Sequence, residues 1–170
     1  GKTSLKNLTK DLLKNIGNVY SSPKSFNNHL GVPLSLSNLN ISHKFGIFEV
    51  GMSKAGEIKK LSKLVKPHIG VITNIGEAHL ENFTSITGIA KAKSELINNI
   101  SLGGCIVLNY DDKYYSFLKK IALNRNLRII SYGYSKKADV SFRYSKKDFI
   151  IIKHQNKNFK LYLKDQKKIN

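Results

Sequence analysis

Short apolar runs alternate with amphipathic helical segments along most of the chain, and this alternation restricts the fold more than any other feature. The apolar runs predict strands near residues 18–20, 45–50, 68–74, 106–108 and 127–131. The amphipathic segments predict helices at about residues 3–15, 55–66, 85–100 and 112–124, with a shorter helix after residue 31. This order is typical of an α/β fold, in which a mostly parallel sheet is flanked by helices. The loops that follow the strands then meet at one edge of the sheet, where such proteins bind ligands.

The pattern changes after Gly133. Three short strand-like runs follow without helices between them, near residues 138–143, 148–153 and 159–163. They predict a short antiparallel extension at the C-terminal side of the sheet. We therefore expect one domain over residues 1–163, followed by a polar tail at residues 164–170.

The formal net charge of +18 raises the question of nucleic-acid binding. Lysine strongly outnumbers arginine, and the lysines are spread over many segments rather than gathered into a stripe. We therefore expect no nucleic-acid partner, although the charge would attract anionic nucleotides. No apolar run approaches the roughly 18 residues that span a membrane, so we expect no membrane partner. The single Cys105 excludes a disulfide framework, and it suits a cytoplasmic protein in which this thiol is a buried strand residue.

The chain opens with Gly1-Lys2-Thr3-Ser4, which matches the closing half of a phosphate-binding loop, G-x-x-x-x-G-K-[ST]. In such a loop the backbone N–H groups and the lysine bind phosphates, and the hydroxyl residue holds Mg²⁺. A short motif of this kind arises often by chance, but the expected helix follows at once. Its apolar residues recur at helical spacing: Leu5, Leu8, Leu12, Leu13 and Ile16. Because the glycine-rich half is absent, we expect the chain to be a piece of a longer enzyme.

Two side chains that can bind a metal follow apolar strands. Glu49 ends one strand, where a carboxylate can hold Mg²⁺, and the alternative is a solvated loop glutamate. His79 follows the next strand, where a neutral imidazole can complete a metal site, although a lone histidine is more often structural. If the two strands are neighbours in a parallel sheet, Glu49 and His79 will share one Mg²⁺ site. Lys93 lies on a basic amphipathic helix, and the pattern alone does not distinguish it from a solvated lysine.

Two stretches of the sequence resemble the central domain of the Mur ligases. They are SSPKSFNNHLGVPLSL, and the longer EVGMSKAGEIKKLSKLVKPHIGVITNIGEAHLENFTSITGIAKAKSELI. The resemblance covers about residues 1–140 and is strongest to the members that add D-alanyl-D-alanine. It implies the phosphate-loop α/β fold of that domain.

The resemblance also assigns roles to individual residues. It implies that Gly1, Lys2, Thr3, Ser4, Asn109 and Asp111 bind the nucleotide. It implies that Thr3, Ser22, Glu49, His79 and Lys93 serve the metal, with Ser22 standing where relatives usually have threonine. Asn27 and Asn28 match a substrate-side loop. Lys2, His79 and Lys93 match catalytic positions, and Lys93 matches a lysine that is carbamylated and helps position a second Mg²⁺.

The resemblance implies that this domain is the core of an ATP-dependent ligase that makes peptidoglycan precursors. The intact enzyme would add D-alanyl-D-alanine to UDP-N-acetylmuramoyl tripeptide through an acyl phosphate, with the help of two Mg²⁺ ions. We expect this enzyme to be a monomer. We expect residues 1–170 alone to be inactive, because the implied flanking domains are needed to bring the substrates together. The alternatives are a sibling ligase that adds another amino acid, a folylpolyglutamate synthetase-like ligase, and a non-catalytic module that binds a nucleotide or nucleic acid.

Overall fold

The framework of the protein is a pair of β-sheets, seen in a computed structural model that describes residues 1–77, 82–144, 149–155 and 157–162. A small sheet pairs β1 (Val19–Ser21) with β2 (Phe45–Ile47) in parallel. A six-stranded sheet follows in chain order, with β3 (Ile69–Ile72), β4 (Cys105–Asn109), β5 (Arg128–Gly133), β6 (Val140–Tyr144), β7 (Phe149–His154) and β8 (Lys157–Tyr162). The predicted boundary between domain and tail at residue 164 lies outside the described residues.

The six-stranded sheet changes from parallel to antiparallel along its width. Strands β3, β4 and β5 pair in parallel, and β6 also joins β5 in parallel through Tyr132 and Val140. The β6–β7 and β7–β8 pairs are antiparallel. The predicted α/β class and its antiparallel C-terminal extension are therefore confirmed, and the antiparallel pairing starts between β6 and β7.

Five α-helices accompany the strands in the part of the chain that the structure describes. They are α1 (Lys2–Leu13), α2 (Gly31–Ser37), α3 (Glu57–Val65), α4 (Ile86–Ser94) and α5 (Tyr115–Asn124). The single long helix predicted at 85–100 is instead α4 followed by a 3₁₀ turn, Ile97–Asn99. The hydroxyl of Ser94 donates to the carbonyl of Lys91 at 2.7 Å, a local bond that competes with regular helix continuation. Across the described ranges, none of the helices is both long and apolar enough to cross a bilayer.

The strand predicted at 45–50 ends at Ile47. Beyond it, the Glu49 N–H donates to the Ser22 hydroxyl at 3.3 Å, and the Gly51 N–H donates to the Asn27 carbonyl at 2.8 Å. The backbone after Ile47 is thus bonded to the loop after β1 rather than to a neighbouring strand, which leaves the Glu49 side chain at the end of β2.

The main core packs α5 and the 3₁₀ turn against β3 and β4. Ile97, Ile106 and Leu108 are fully buried there, and each such side chain stabilises the fold by about 1.5–3 kcal/mol. Cys105 is 4% exposed, as expected for a buried strand residue. A second cluster around Met52, Ile58, Ile89 and Ala92 joins α3 to α4.

Helix α1 buries a polar side chain and exposes apolar ones. Leu8 and Leu12 are 64% and 71% exposed, whereas Lys6 on the same helix is 4% exposed. The apolar spacing predicts the helix correctly, but it does not show which side of the helix faces the protein.

Candidate active site

The candidate site is built around the carboxylate of Glu49, where the loop after β2 meets the start of α1. Glu49 is 6% exposed. One carboxylate oxygen accepts a hydrogen bond from the Thr3 hydroxyl at 2.8 Å, and the other accepts one from the Asn27 amide at 2.7 Å. A buried carboxylate without such donors would be costly, so these two bonds hold Glu49 in a defined orientation.

Ser22 and Gly51 complete the packing around this carboxylate. Ser22 is 2% exposed, and its hydroxyl accepts the bond from the Glu49 backbone. Gly51 lies so close to Asn27 that a Cβ there would meet the Asn27 Oδ1 atom at 2.8 Å. A residue larger than glycine at position 51 would therefore displace the asparagine that binds Glu49.

The chemistry of this cluster fits Mg²⁺. Thr3 and Ser22 offer hydroxyl oxygens and Glu49 a carboxylate, and hard divalent cations take oxygen ligands of these types. Thr3 and Glu49 already lie side by side. Within the described ranges, no group of three or more His, Cys, Asp or Glu side chains is placed to hold a metal, so the donors at this site are mainly neutral oxygens around one carboxylate.

His79 lies outside the described residues, so the Mg²⁺ site that Glu49 was predicted to share with it stays a prediction. One premise of that prediction is wrong, however. Strand β2, before Glu49, pairs with β1, whereas β3, the strand before His79, pairs with β4, and β2 and β3 belong to separate sheets.

Lys93 projects from α4 toward the loop after β3. Its ammonium donates to the Asn74 carbonyl at 2.9 Å. Burial is the main cause that lowers the pKa of Lys93, the charge of Lys2 lowers it further, and Asp112 opposes the shift. Since Lys2 acts on Lys93 electrostatically, the structure brings the phosphate-loop lysine and this helix lysine toward the same region.

The loop after β3 is fixed by side chains that the sequence analysis did not single out. The Tyr132 hydroxyl donates to the Thr73 carbonyl at 2.6 Å, and the Ile75 N–H donates to the Asp112 carboxylate at 2.5 Å. Together with Lys93, these bonds hold three consecutive backbone positions. Burial raises the pKa of Tyr132, and Asp112 adds to the effect, so this hydroxyl stays protonated and able to donate. Asp112 directly follows Asp111, which the resemblance assigns to the nucleotide, and this neighbour is the one sequence signal for it.

Asn109 and Asp111 organise the turns at the ends of β4 and β5. The Asn109 side chain accepts from the Asp111 N–H at 3.0 Å. The Asp111 carboxylate accepts from the backbone N–H groups of Tyr134 and Ser135. Both side chains thus have structural partners at the edge of the sheet, and their predicted contact with the nucleotide stays a prediction.

The other predicted residues occupy two further positions. Asn28 does not contact Glu49; its side chain accepts from the Gly31 N–H at 2.8 Å at the start of α2. Gly1 is the N-cap of α1, and Gly1, Lys2 and Ser4 are exposed. Lys2, Thr3 and Ser4 thus stand in the first turn of α1, and the N–H groups of such a turn bind phosphate at a helix N-terminus.

The Mur ligase middle-domain family model matches residues 1–170. The chain belongs to the Mur ligase middle-domain family. It is 40% identical over 140 residues to the UDP-N-acetylmuramoyl-tripeptide–D-alanyl-D-alanine ligase of Buchnera aphidicola subsp. Baizongia pistaciae. That match covers 82% of this chain and 30% of the relative, so the chain spans less than a third of the curated protein it resembles.

Solved structures place the same fold in this family. The MurF crystal structure from Acinetobacter baumannii superposes with a TM-score of 0.86 at 28% identity, covering 95% of this chain and 36% of that one. The MurF ligase from Thermotoga maritima in complex with ADP superposes with a TM-score of 0.83 at 27% identity, covering 95% of this chain and 38% of that one. The Mur ligase fold predicted from the sequence is confirmed.

Proposed function

We propose that this domain is the ATP-binding core of a ligase that joins D-alanyl-D-alanine to a UDP-N-acetylmuramoyl tripeptide. The observation that carries the proposal is the contact between Thr3 and Glu49, which pairs a phosphate-loop hydroxyl with a strand-end carboxylate. That pair is what phosphate-loop enzymes use to hold Mg²⁺ beside the nucleotide. The name of the Buchnera relative supports the choice of substrates, and the ADP named for the Thermotoga structure supports the choice of nucleotide.

In the proposed reaction, the tripeptide carboxylate attacks the γ-phosphate of ATP, which forms an acyl phosphate and releases ADP. The dipeptide amine then attacks the acyl carbon and displaces phosphate. Lys2 and the N–H groups of the first turn of α1 bind the phosphates, and Thr3 and Glu49 would hold Mg²⁺. The metal supplies positive charge that offsets the negative charge of carboxylate and phosphate. The protein contributes position and charge, and it forms no covalent bond to substrate in this scheme.

Lys93 serves this reaction as a carbamate in our proposal. Its lowered pKa leaves more of the neutral amine than an ordinary lysine has. The amine nitrogen attacks CO₂, a nitrogen–carbon bond forms, and one proton passes to solvent. The product carries a negative charge that suits a second Mg²⁺, whereas the unmodified ammonium would repel the ion. His79 is proposed as a further ligand.

Asn27 and Asn28 belong to the proposed substrate-side loop. Asn27 contacts Glu49 directly, while Asn28 fixes the start of α2. In this arrangement Asn27 couples the loop to the Glu49 carboxylate, and Asn28 fixes the path of the loop into α2.

We place the reaction in the cytoplasm, where ATP and UDP-linked precursors are found.

The test uses the complete polypeptide that carries residues 1–170. ADP release is measured with ATP, Mg²⁺, UDP-N-acetylmuramoyl tripeptide and a panel of amino acids and dipeptides. We expect release that depends on D-alanyl-D-alanine and is lost in Thr3→Ala. Use of a different amino acid would identify a sibling ligase instead. Nucleotide binding without turnover would favour a binding module, and DNA binding that falls steeply with salt would favour the nucleic-acid alternative.

A further inference from the structure

Lys6 is a buried cation on α1 whose partners are carbonyl oxygens. Its ammonium donates to the Ser22 carbonyl at 2.6 Å and to the Lys24 carbonyl. Among the described residues, no carboxylate lies within ion-pair distance of it. Burying a charge without a counter-ion is costly, so two backbone carbonyls must compensate, and the loop that provides them is held in place in return.

The loop segment at these carbonyls has a backbone conformation that needs support. Lys24 has a positive φ of 43°. For a residue with a Cβ, this left-handed conformation costs roughly 1–2 kcal/mol. The bond from Lys6 to the Lys24 carbonyl stabilises the turn in this form.

The same segment carries two of the side chains around Glu49. The Ser22 hydroxyl accepts from the Glu49 N–H, and the Asn27 amide donates to the Glu49 carboxylate. Thr3 and Lys6 are three residues apart, so they lie on the same face of α1. Helix α1 therefore acts on the groups around Glu49 in two ways. Thr3 contacts Glu49 directly, and Lys6 binds the loop that carries Ser22 and Asn27.

We propose that Lys6 is a positioning residue, which fixes the Ser22–Asn27 loop against α1 so that Ser22 and Asn27 meet Glu49. The link to metal and nucleotide rests on the proposed function, whereas the link to the loop does not. Removing the ammonium would free the loop while leaving Thr3 on α1 and Glu49 at the end of β2.

Hydrogen–deuterium exchange of the complete polypeptide that carries residues 1–170 tests the link to the loop. In Lys6→Met, which keeps a long side chain without the charge, we expect the amides of Ser22 and of residues 24–27 to exchange at least about tenfold faster. That factor corresponds to the loss of a hydrogen bond from a charged group. The exchange of α5 and β4 should stay unchanged, and Lys6→Arg should restore part of the protection. Lys10→Met is the matched control, because Lys10 lies one turn further along α1 and is less buried.

Unchanged exchange at Ser22 and residues 24–27 in Lys6→Met overturns the proposal. An equal rise in the exchange rate across the protein, including α5 and β4, also overturns the proposal, because it would show that Lys6→Met destabilises the whole fold. If Lys6→Met does not fold, Lys6→Leu replaces it, since leucine also removes the N–H donors, and the same two results decide.

A binding measurement tests the link to the site. A fluorescent ADP analogue is titrated with Mg²⁺ and with EDTA. We expect Lys6→Met to reduce the gain in affinity that Mg²⁺ provides by about tenfold, and to leave metal-free binding within about twofold of wild type. An unchanged Mg²⁺ gain in Lys6→Met overturns the link to the site. If the wild-type protein binds no nucleotide, the proposed function fails, and the exchange result still decides whether Lys6 positions the loop.

Discussion

Thr3 donates a hydrogen bond of 2.8 Å to the carboxylate of Glu49, forty-six positions further along the chain. The bond joins the first turn of α1 to the end of β2, two places that are separated along the chain by the rest of α1, by β1, α2 and β2, and by the loops between them. A hydroxyl and a carboxylate held together in this way need little rearrangement to bind a cation. The protein has therefore organised the oxygen ligands of the proposed Mg²⁺ site in advance.

Removing the Thr3 hydroxyl should weaken the proposed Mg²⁺ site. We expect Thr3→Ala to lower ADP release by the complete polypeptide on the order of 100-fold or more, because metal charge stabilisation is worth several kcal/mol. Thr3→Ser is the matched control, since it keeps the hydroxyl, and it should retain most of the activity. Steady-state rates over a range of Mg²⁺ concentrations check the prediction, and equal rates for the two variants would refute it.

Lys93 should respond to removal and to chemical rescue. We expect Lys93→Ala to lose at least about 100-fold in turnover, because the proposed carbamate ligand disappears. Short carboxylic acids should restore part of the rate by supplying an anion. Lys91→Ala, an exposed change on the same helix, should have no effect. Near-normal turnover of Lys93→Ala in bicarbonate-free buffer would show that the carbamate role is wrong.

The pH dependence of this effect follows from the direction of the pKa shift. Burial lowers the pKa of Lys93 below that of an ordinary lysine. The neutral amine therefore persists to lower pH, and it is lost as the pH falls through the lowered value. We expect carbamylation, measured as incorporation of labelled CO₂, to rise with pH and to be absent in Lys93→Ala. Incorporation that does not depend on pH would contradict this mechanism.

Glu95 joins α4 to α3, and its loss should lower the stability of the fold. Its carboxylate accepts from the Gly56 N–H at 2.7 Å and from the Lys59 N–H at 2.9 Å, at the start of α3. We expect Glu95→Ala to lower the free energy of unfolding by about 1–2 kcal/mol, the usual cost of losing such a cap. Urea denaturation measures it. Glu77→Ala, a change at an exposed site, should stay within about 0.5 kcal/mol of wild type, and an equal effect of both changes would count against the capping role.

Asp139 should make stability depend on pH in the acid range. Hydrogen bonds from the Ser131 side chain and backbone, at 2.6 and 2.7 Å, lower the pKa of Asp139 below its ordinary value. The folded state therefore gains stability above about pH 4, the ordinary range of an aspartate, and loses it as the pH falls through the lowered value. Asp139 is exposed, so we expect Asp139→Asn to cost at most about 1 kcal/mol at pH 7.

Urea midpoints at pH 7 and near pH 3 test the Asp139 prediction. The difference between wild type and Asp139→Asn should shrink at the lower pH, because the unfolded chain then binds a proton at this carboxylate and the stability that the lowered pKa provides begins to be lost. A difference that stays constant across this range would show that the hydrogen bonds to Ser131 do not depend on the charge.

Much of the fold follows from local patterns. The period of apolar residues predicted the main strands and helices of the parallel half, because a side chain's face depends on its spacing along a regular element. Element ends were less accurate. The strand predicted at 45–50 ends at Ile47, since the backbone beyond it bonds to a loop that is distant in sequence.

Local sequence patterns are enough to identify which residue types stand at the ends of the strands and at the start of α1. Thr3 and Glu49 could be named from motif and strand position alone. Their contact, the bond from Asn27 to Glu49, the position of Asn28 at α2, and the burial of Lys6 with Leu8 and Leu12 exposed all depend on how the elements pack. Periodicity describes a single element, whereas burial and hydrogen-bond partners depend on which other elements pack against it.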